Sequence, residues 1–113
     1  MARCSTTTLS AVVENNIFLV TTAGASNAVI CPAPSCTVSN NVVFPQTTAL
    51  PGSNIVMNPK LVDPTMGDMR LASDSPALNA ATQSGLGATD HDFHGNLRPQ
   101  GGAPDIGALE LVP

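Results

Sequence analysis

The sequence contains no tryptophan or tyrosine, and only 3% of its residues are aromatic. Charged residues are also few, at 11% of the chain, with four basic against eight acidic residues. The basic residues form no patch, and a net charge of −4 argues against nucleic acid as a partner. A core without large aromatic side chains has to be thin, because small side chains fill only a narrow space.

Long apolar runs are missing as well. No stretch approaches the roughly 18 apolar residues that a membrane-spanning helix needs, so we expect no membrane span. The first 25 residues resemble a signal peptide only loosely, because Glu14, Asn15 and Asn16 interrupt the apolar region. The sequence by itself leaves the localisation undecided.

Short apolar runs separated by turn-forming residues make up the chain. Hydrophobic residues reach 42%, which argues against disorder, and 9 glycines and 10 prolines are spread between the apolar runs. This spacing favours many short strands with frequent turns, and the length allows one domain spanning residues 1–113.

Three cysteines form no even framework. Cys31 and Cys36 flank the loop "PAPS" and are candidates for a small disulfide that leaves Cys4 over. Three reduced thiols are the alternative, because loop spacing alone does not fix the Cα separation. No second cysteine pair or nearby histidine completes a zinc site.

A weak repeat runs through the first half of the chain. "VVENNIFLV" at 12–20 and "TVSNNVVFP" at 37–45 share an Asn-Asn pair at a spacing of 25 residues, and "GSNIVMNP" at 52–59 is a weaker echo. A strand, an Asn turn and a second strand are typical of a β-solenoid coil, in which asparagines bond between neighbouring coils. Alternation then points Ile17 and Leu19, or Val42 and Phe44, inward. A β-sandwich with Asn-rich turns is the alternative.

The segment 59–81 has a different pattern. "LVDPTMGDMRL" predicts strand, turn and strand, with Asp63-Pro64 opening the turn and Gly67-Asp68 closing it. "SDSPALNAATQSG" predicts a short helix, with Asp74 or Ser75 as its N-cap, Pro76 as its first residue and Gly85 as its end.

The second half of the chain resembles the C-terminal end of bacterial right-handed parallel β-helix proteins, the pectate-lyase-like type with a choice-of-anchor Q region. One matching group comprises Asp63, Pro64, Gly67, Asp68, Arg70, Leu71, Ser75, Pro76 and Ala77. The other comprises Asp92, Phe93, Gly95, Arg98, Pro99, Asp105, Ile106, Gly107, Ala108 and Glu110. The chain departs from the family pattern at His94, Leu109 and Asn79, which weakens any inherited cation site.

The resemblance implies a short right-handed parallel β-helix (solenoid) fragment with an irregular C-terminal cap and one short helix. Residues 12–58 are then the coils, and 59–113 the terminal coil and cap. Family members carry more coils than this chain, so an open N-terminal end is expected. Either residues 1–11 cap this end, or two such ends pair, which predicts a homo-oligomer. The family also implies an extracellular or cell-surface location.

The segment "DHDFHGNLRPQGGAPDIGALE" is interpreted as a structural cap. Arg98 can bond a carboxylate such as Asp92 or Asp105, or backbone carbonyls, and so hold an irregular segment together; Glu110 completes the cap. "DIGALELV" predicts a last strand, with Ile106, Leu109 or Leu111 closing the core.

A metal site is the competing interpretation of the acidic residues. His91 and His94 have acidic neighbours but lack a third nitrogen or sulfur ligand for a transition metal. Calcium accepts irregular oxygen shells, and its candidate ligands are Asp63, Asp68, Asp90 and Asp92.

No catalytic residues are assigned. The family suggests polysaccharide cleavage, but so few coils offer only a short groove, and no nucleophile or nucleotide motif is present. The first hypothesis is therefore a non-catalytic structural or interaction module that self-associates. No cofactor is expected for such a module. The alternative is a carbohydrate-binding or polysaccharide-cleaving (lyase-like) remnant, for which calcium is a candidate cofactor; the row of exposed aromatics that would favour sugar binding is missing.

Overall fold

In a computed structural model of the chain, residues 2–3, 11–31, 36–82 and 90–113 are described. For residues 2 and 3 the description covers the backbone alone. The described residues contain eight short strands. They are Ala2–Arg3 (β1), Ala11–Glu14 (β2), Ile17–Leu19 (β3), Val29–Ile30 (β4), Cys36–Ser39 (β5), Val42–Phe44 (β6), Leu61–Asp63 (β7) and Asp68–Leu71 (β8). Within the described ranges, only Pro64–Met66 is helical, as one 3-10 turn.

The two Asn-Asn repeats pair side by side. β2 pairs with β5 and β3 with β6, both in parallel and with an offset of 25 residues, and β1 pairs with β4 in parallel. Asn15 and Asn40 turn the chain between strands with φ angles of 59° and 57°. Asparagine tolerates this left-handed conformation better than other residues with a side chain, which explains its place at both turns.

The predicted fold class, a short right-handed parallel β-helix with one short helix, is wrong. The described strands form four separate two-stranded sheets, and the fourth, β7 with β8, is an antiparallel hairpin. A solenoid needs sheets that continue through successive coils. Here residues 51–55 run beside β5 and β6 but contribute only one isolated bridge, between Val42 and Ile55. The result is a small fold of short strands with almost no helix.

Two apolar clusters hold the strands together. The first contains Ala28, Val29, Cys36, Val38 and Val43; the second contains Val42, Leu71, Ala77 and Ile106. The predicted inward alternation is wrong for Phe44, which is exposed. The first two residues of β6 are instead covered on both faces of the strand. Val42 and the adjacent Val43 are each fully buried, in different clusters.

The hairpin predicted at residues 61–71 is confirmed. The Asp63 carboxylate accepts hydrogen bonds from the Met66 N–H and the Thr65 hydroxyl, which caps the 3-10 turn. Gly67 then ends the turn at a φ of 84°, a conformation that glycine adopts without a steric cost.

The helix predicted from residue 74 or 75 to 85 is wrong for its described part, residues 74–82, which form turns; residues 83–85 lie outside the described residues. Backbone groups that a helix would use internally are bonded elsewhere. The Asn79 N–H donates to Asp105, the Ala81 N–H donates to the Pro104 carbonyl, and the Ala77 carbonyl accepts from Ile106. Asn79 also has a φ of 53°, outside the helical region.

The last strand predicted at 105–112 is also wrong. Residues 105–113 form no strand, because the Asp105 carboxylate accepts from the Leu111 N–H and folds this segment back on itself. Ile106 does close the second cluster, fully buried. No helix among the described residues has the length and apolar character needed to cross a membrane.

Candidate functional site

Three buried carboxylates organise the C-terminal segment. Asp92, Asp105 and Glu110 are all buried, although each belongs to irregular backbone. Glu110 accepts from the Gln100 and Asp105 N–H groups at 2.9 and 3.0 Å. Asp105 accepts from Asn79 and Leu111 at 2.7 and 2.8 Å. These carboxylates replace the hydrogen bonds that a regular strand or helix would supply.

Arg98 lies inside this segment, and its side chain is 10% exposed. Its guanidinium donates to the Asp105 and Gly107 carbonyls, both at 2.8 Å, and one nitrogen lies 3.5 Å from Glu110. The sequence offered a carboxylate or backbone carbonyls as partners of Arg98. The structure has the backbone carbonyls, and Arg98 makes no bidentate pair with Asp92 or Asp105. Nε is the one buried side-chain polar atom of the described residues without a partner.

Asp92 receives more hydrogen bonds than the other two carboxylates. The N–H groups of His94, Asn96 and Glu110 and the Asn96 side chain donate to it at 2.8–3.0 Å. Burial by itself raises the pKa of Asp92, but these hydrogen bonds outweigh burial and hold the pKa well below its usual range. The ionised form is therefore the one that the fold stabilises.

This lowered pKa predicts a loss of stability in acid. Above the unfolded-state pKa of about 3.9 the stabilisation by Asp92 is fully present, and it is lost as the pH falls toward the lower folded-state value. We expect the free energy of unfolding, measured by urea titration, to drop steeply below about pH 4. In Asp92→Asn this drop should be shallower; equal slopes in both proteins would contradict the assignment.

The four candidate calcium ligands are engaged separately. Asp63 caps the 3-10 turn, and Asp92 is occupied by the donors above. Asp68 pairs with the Arg70 guanidinium at 2.6 Å, which lowers the pKa of Asp68 to about 2. Asp90 bonds His91, 2.8 Å away. Within the described residues no three His, Cys, Asp or Glu side chains lie close enough to hold a metal ion.

The two histidines do not form a common site. His91 Nδ1 lies 2.8 Å from Asp90 Oδ1, and this contact lowers the pKa of Asp90. His94 is exposed and contacts the ring of Phe93, with 5.9 Å between ring centroids. The two rings therefore have different neighbours and do not point to a shared metal site.

Cys31 and Cys36 are joined by a disulfide, with their Cα atoms 6.0 Å apart. The bond connects the residue after β4 to the first residue of β5. Cys4 and the intervening loop 32–35 lie outside the described residues.

An asparagine ladder connects the paired repeats. Asn41 Oδ1 accepts from the Asn16 N–H at 2.9 Å, and Asn54 Oδ1 accepts from the Asn41 N–H at 3.2 Å. Asn40 Nδ2 bonds Asn15 Oδ1 at 2.6 Å. The contact between the two Asn-Asn pairs, which the 25-residue spacing predicts, is confirmed. The central role of Asn41, fully buried, is not readable from the repeat alone.

Among the described residues, no strand covers the outer edge of β2 and β3, which we call the open edge; most of the N-terminal segment 1–11 that could cap it lies outside those residues. Each of these strands has one strand partner, β5 or β6, whereas residues 51–55 cover the far edge of β5 and β6. A groove of about 760 Å³ lies between β2–β3, the β7–β8 hairpin and the Gly107 segment. Val12, Leu19, Leu61 and Met69 supply apolar walls, and Glu14 is its one charged residue. Sequence reasoning missed this surface, because it depends on which strand edges the later segments leave uncovered.

Gly107 fixes the C-terminal segment beside this groove. Its N–H donates to the Asn15 carbonyl at 3.0 Å, and its φ of 109° requires glycine. A Cβ at this position would lie 2.8 Å from the Ile17 side chain. The turn between β2 and β3 is thereby held against the carboxylate-organised segment.

No family model, curated protein or solved structure matches the chain. The resemblance of its second half to the ending of pectate-lyase-like proteins therefore stays a prediction.

Proposed function

We propose that this chain is a non-catalytic interaction module that self-associates through the open edge of β2 and β3. The observation that carries this proposal is that, among the described strands, both pair on one side only, and both line a groove with apolar and polar walls. An uncovered strand edge presents unpaired N–H and C=O groups and is a template for pairing with another chain. A second copy supplies such a strand and covers the groove at the same time.

The molar mass in solution tests this proposal. We expect light scattering to give about twice the chain mass of 11.5 kDa at high protein concentration and a lower value on dilution. A chelator should leave the mass unchanged, because the proposed interface consists of backbone hydrogen bonds and apolar contacts, which need no metal ion. A single-chain mass at every concentration would contradict self-association.

Two exposed valines provide matched variants for the same measurement. Val12 on β2 and Val62 on β7 are each 50% exposed. Val12→Glu adds charge to the open edge and should shift the protein to the single-chain mass. Val62→Glu adds the same charge on the hairpin and should leave the mass unchanged. If both variants behave alike, the interface lies elsewhere.

A further inference from the structure

The backbone groups on the open edge can be identified from the bonds that face inward. The Val13 carbonyl bonds Asn41 Nδ2, and the Val20 N–H donates to the Phe44 carbonyl, so both groups face the β5–β6 side. Hydrogen-bonding direction alternates along a strand. The N–H and C=O groups of Val12 and Glu14 on β2, and of Ile17 and Leu19 on β3, therefore face outward.

We infer that a second copy binds this edge about a twofold axis at the Asn15–Asn16 turn. β2 of one copy then runs antiparallel to β3 of the other, and the symmetry repeats the pairing on the other side of the axis. This inference rests on the proposed self-association and specifies its surface and register. Residue numbers that face each other sum to 31, so Asn15 lies opposite Asn16 of the second copy.

The hydrogen bonds fit this register. In antiparallel sheets, two residues that exchange two hydrogen bonds lie directly opposite each other. The N–H and the C=O of each residue both point at the partner strand. Val12 lies opposite Leu19 of the second copy, and Glu14 lies opposite Ile17. All four are outward-facing residues of the edge, so each outward N–H meets an acceptor. The Glu14 carbonyl already accepts from Asn16 Nδ2 at 2.6 Å and would accept a second hydrogen bond from the other copy.

The side chains fit the same register. Val13 and Phe18 both pack against the first apolar cluster, and the twofold axis places them opposite each other. The cluster therefore continues across the interface instead of meeting a polar face. Glu14 lies opposite an isoleucine, so the two copies do not place their edge carboxylates directly against each other, a contact that would destabilise the pair.

The inferred interface also continues a contact that the chain already makes. On its inner side, the β2–β3 unit binds β5–β6 through backbone bonds on both sides of an Asn-Asn turn. On its outer side, a second β2–β3 unit supplies the same elements, with strand direction reversed. This continuity favours a second copy over an unrelated extended peptide, which would lack the matching turn.

Cross-linking between single-cysteine variants tests the register. We would prepare Val12→Cys and Leu19→Cys separately in a Cys4→Ser background, keep the Cys31–Cys36 disulfide oxidised, and add a short bis-maleimide. Mixing the two proteins should give a cross-linked dimer at least ~10-fold faster than either protein alone, because position 12 faces only position 19 of the other copy. Self-linking of Val12→Cys would show that β2 pairs with β2, which overturns this register while self-association stands.

A proline variant tests the backbone part of the inference. Val12→Pro removes an outward-facing N–H, whereas Val12→Thr keeps this N–H and a β-branched side chain. Since each dimer loses two hydrogen bonds, we expect Val12→Pro to raise the dimer dissociation constant about 30-fold. Val12→Thr should change it less than about 3-fold. Equal constants for the two variants would contradict pairing at this edge, and a single-chain mass for the parent protein would overturn the proposed function as well.

Discussion

Replacing Asn41 by alanine should destabilise the fold by about 3 kcal/mol or more, since several buried groups lose their partner together. Asn41 is fully buried, and Nδ2 donates to the Val13 and Ser39 carbonyls, both at 2.9 Å. Its Oδ1 also accepts from the Asn16 N–H. The free energy of unfolding from urea titration measures the effect, because a small domain of this size is expected to unfold in one step.

Asn16→Ala is the matched control. Asn16 belongs to the same ladder but is exposed, so water can replace its bonds and the expected loss is below about 1 kcal/mol. If Asn41→Ala costs no more than Asn16→Ala, the ladder does not hold the paired repeats together.

Replacing Asp92 by alanine should cost about 4 kcal/mol at neutral pH. Four donors from three residues converge on this buried carboxylate, and each donor left unpaired costs about 1–3 kcal/mol unless water enters. Because one of the donors is the Glu110 N–H, the end of the chain should detach from the segment around residue 96. The change in unfolding free energy and the hydrogen exchange of the Glu110 amide would report it.

Asp90→Ala serves as the control for Asp92→Ala. Asp90 lies two residues earlier, and its side chain is 88% exposed and bonds His91, which is itself 50% exposed. We expect a change within about 0.5 kcal/mol. An Asp92→Ala protein as stable as Asp90→Ala would show that the carboxylate is not what organises the C-terminal segment.

Local chemistry explains which parts of the fold were predictable. The hairpin at 61–71 follows from Asp63-Pro64 and Gly67, which determine the turn without help from the rest of the chain. The contact between the Asn pairs follows from the 25-residue spacing. In both cases the residues that define the feature lie within the feature itself.

Tertiary partners explain where the sequence was misleading. Residues 74–82 carry helix signals, yet the Asn79 N–H bonds Asp105, a residue 26 positions away, and the helix does not form. The predicted solenoid is wrong for a related reason, since residues 51–55 follow β5 and β6 without forming a strand of their own. Propensity was overridden in both segments by contacts that no local pattern specifies.

The candidate site was predictable only in its residue types. Acidic residues and Arg98 were expected to hold an irregular C-terminal segment, and the structure buries Asp92, Asp105 and Glu110 there. Their actual partners are mainly backbone N–H groups, which a sequence cannot point to. The open edge of β2 and β3 has no sequence signature, because it is defined by the absence of a neighbour among the described strands.

Amide hydrogen exchange, resolved by residue and measured at two protein concentrations, tests the proposed interface most directly. The amides of Val12, Glu14, Ile17 and Leu19 should be protected at high concentration and exchange quickly on dilution, because no described strand of the same chain pairs with this edge. The amides of Val13 and Phe18 face β5–β6 and should stay protected at both concentrations. Protection of the four outward amides that does not change while the protein passes from dimer to single chain would contradict the account.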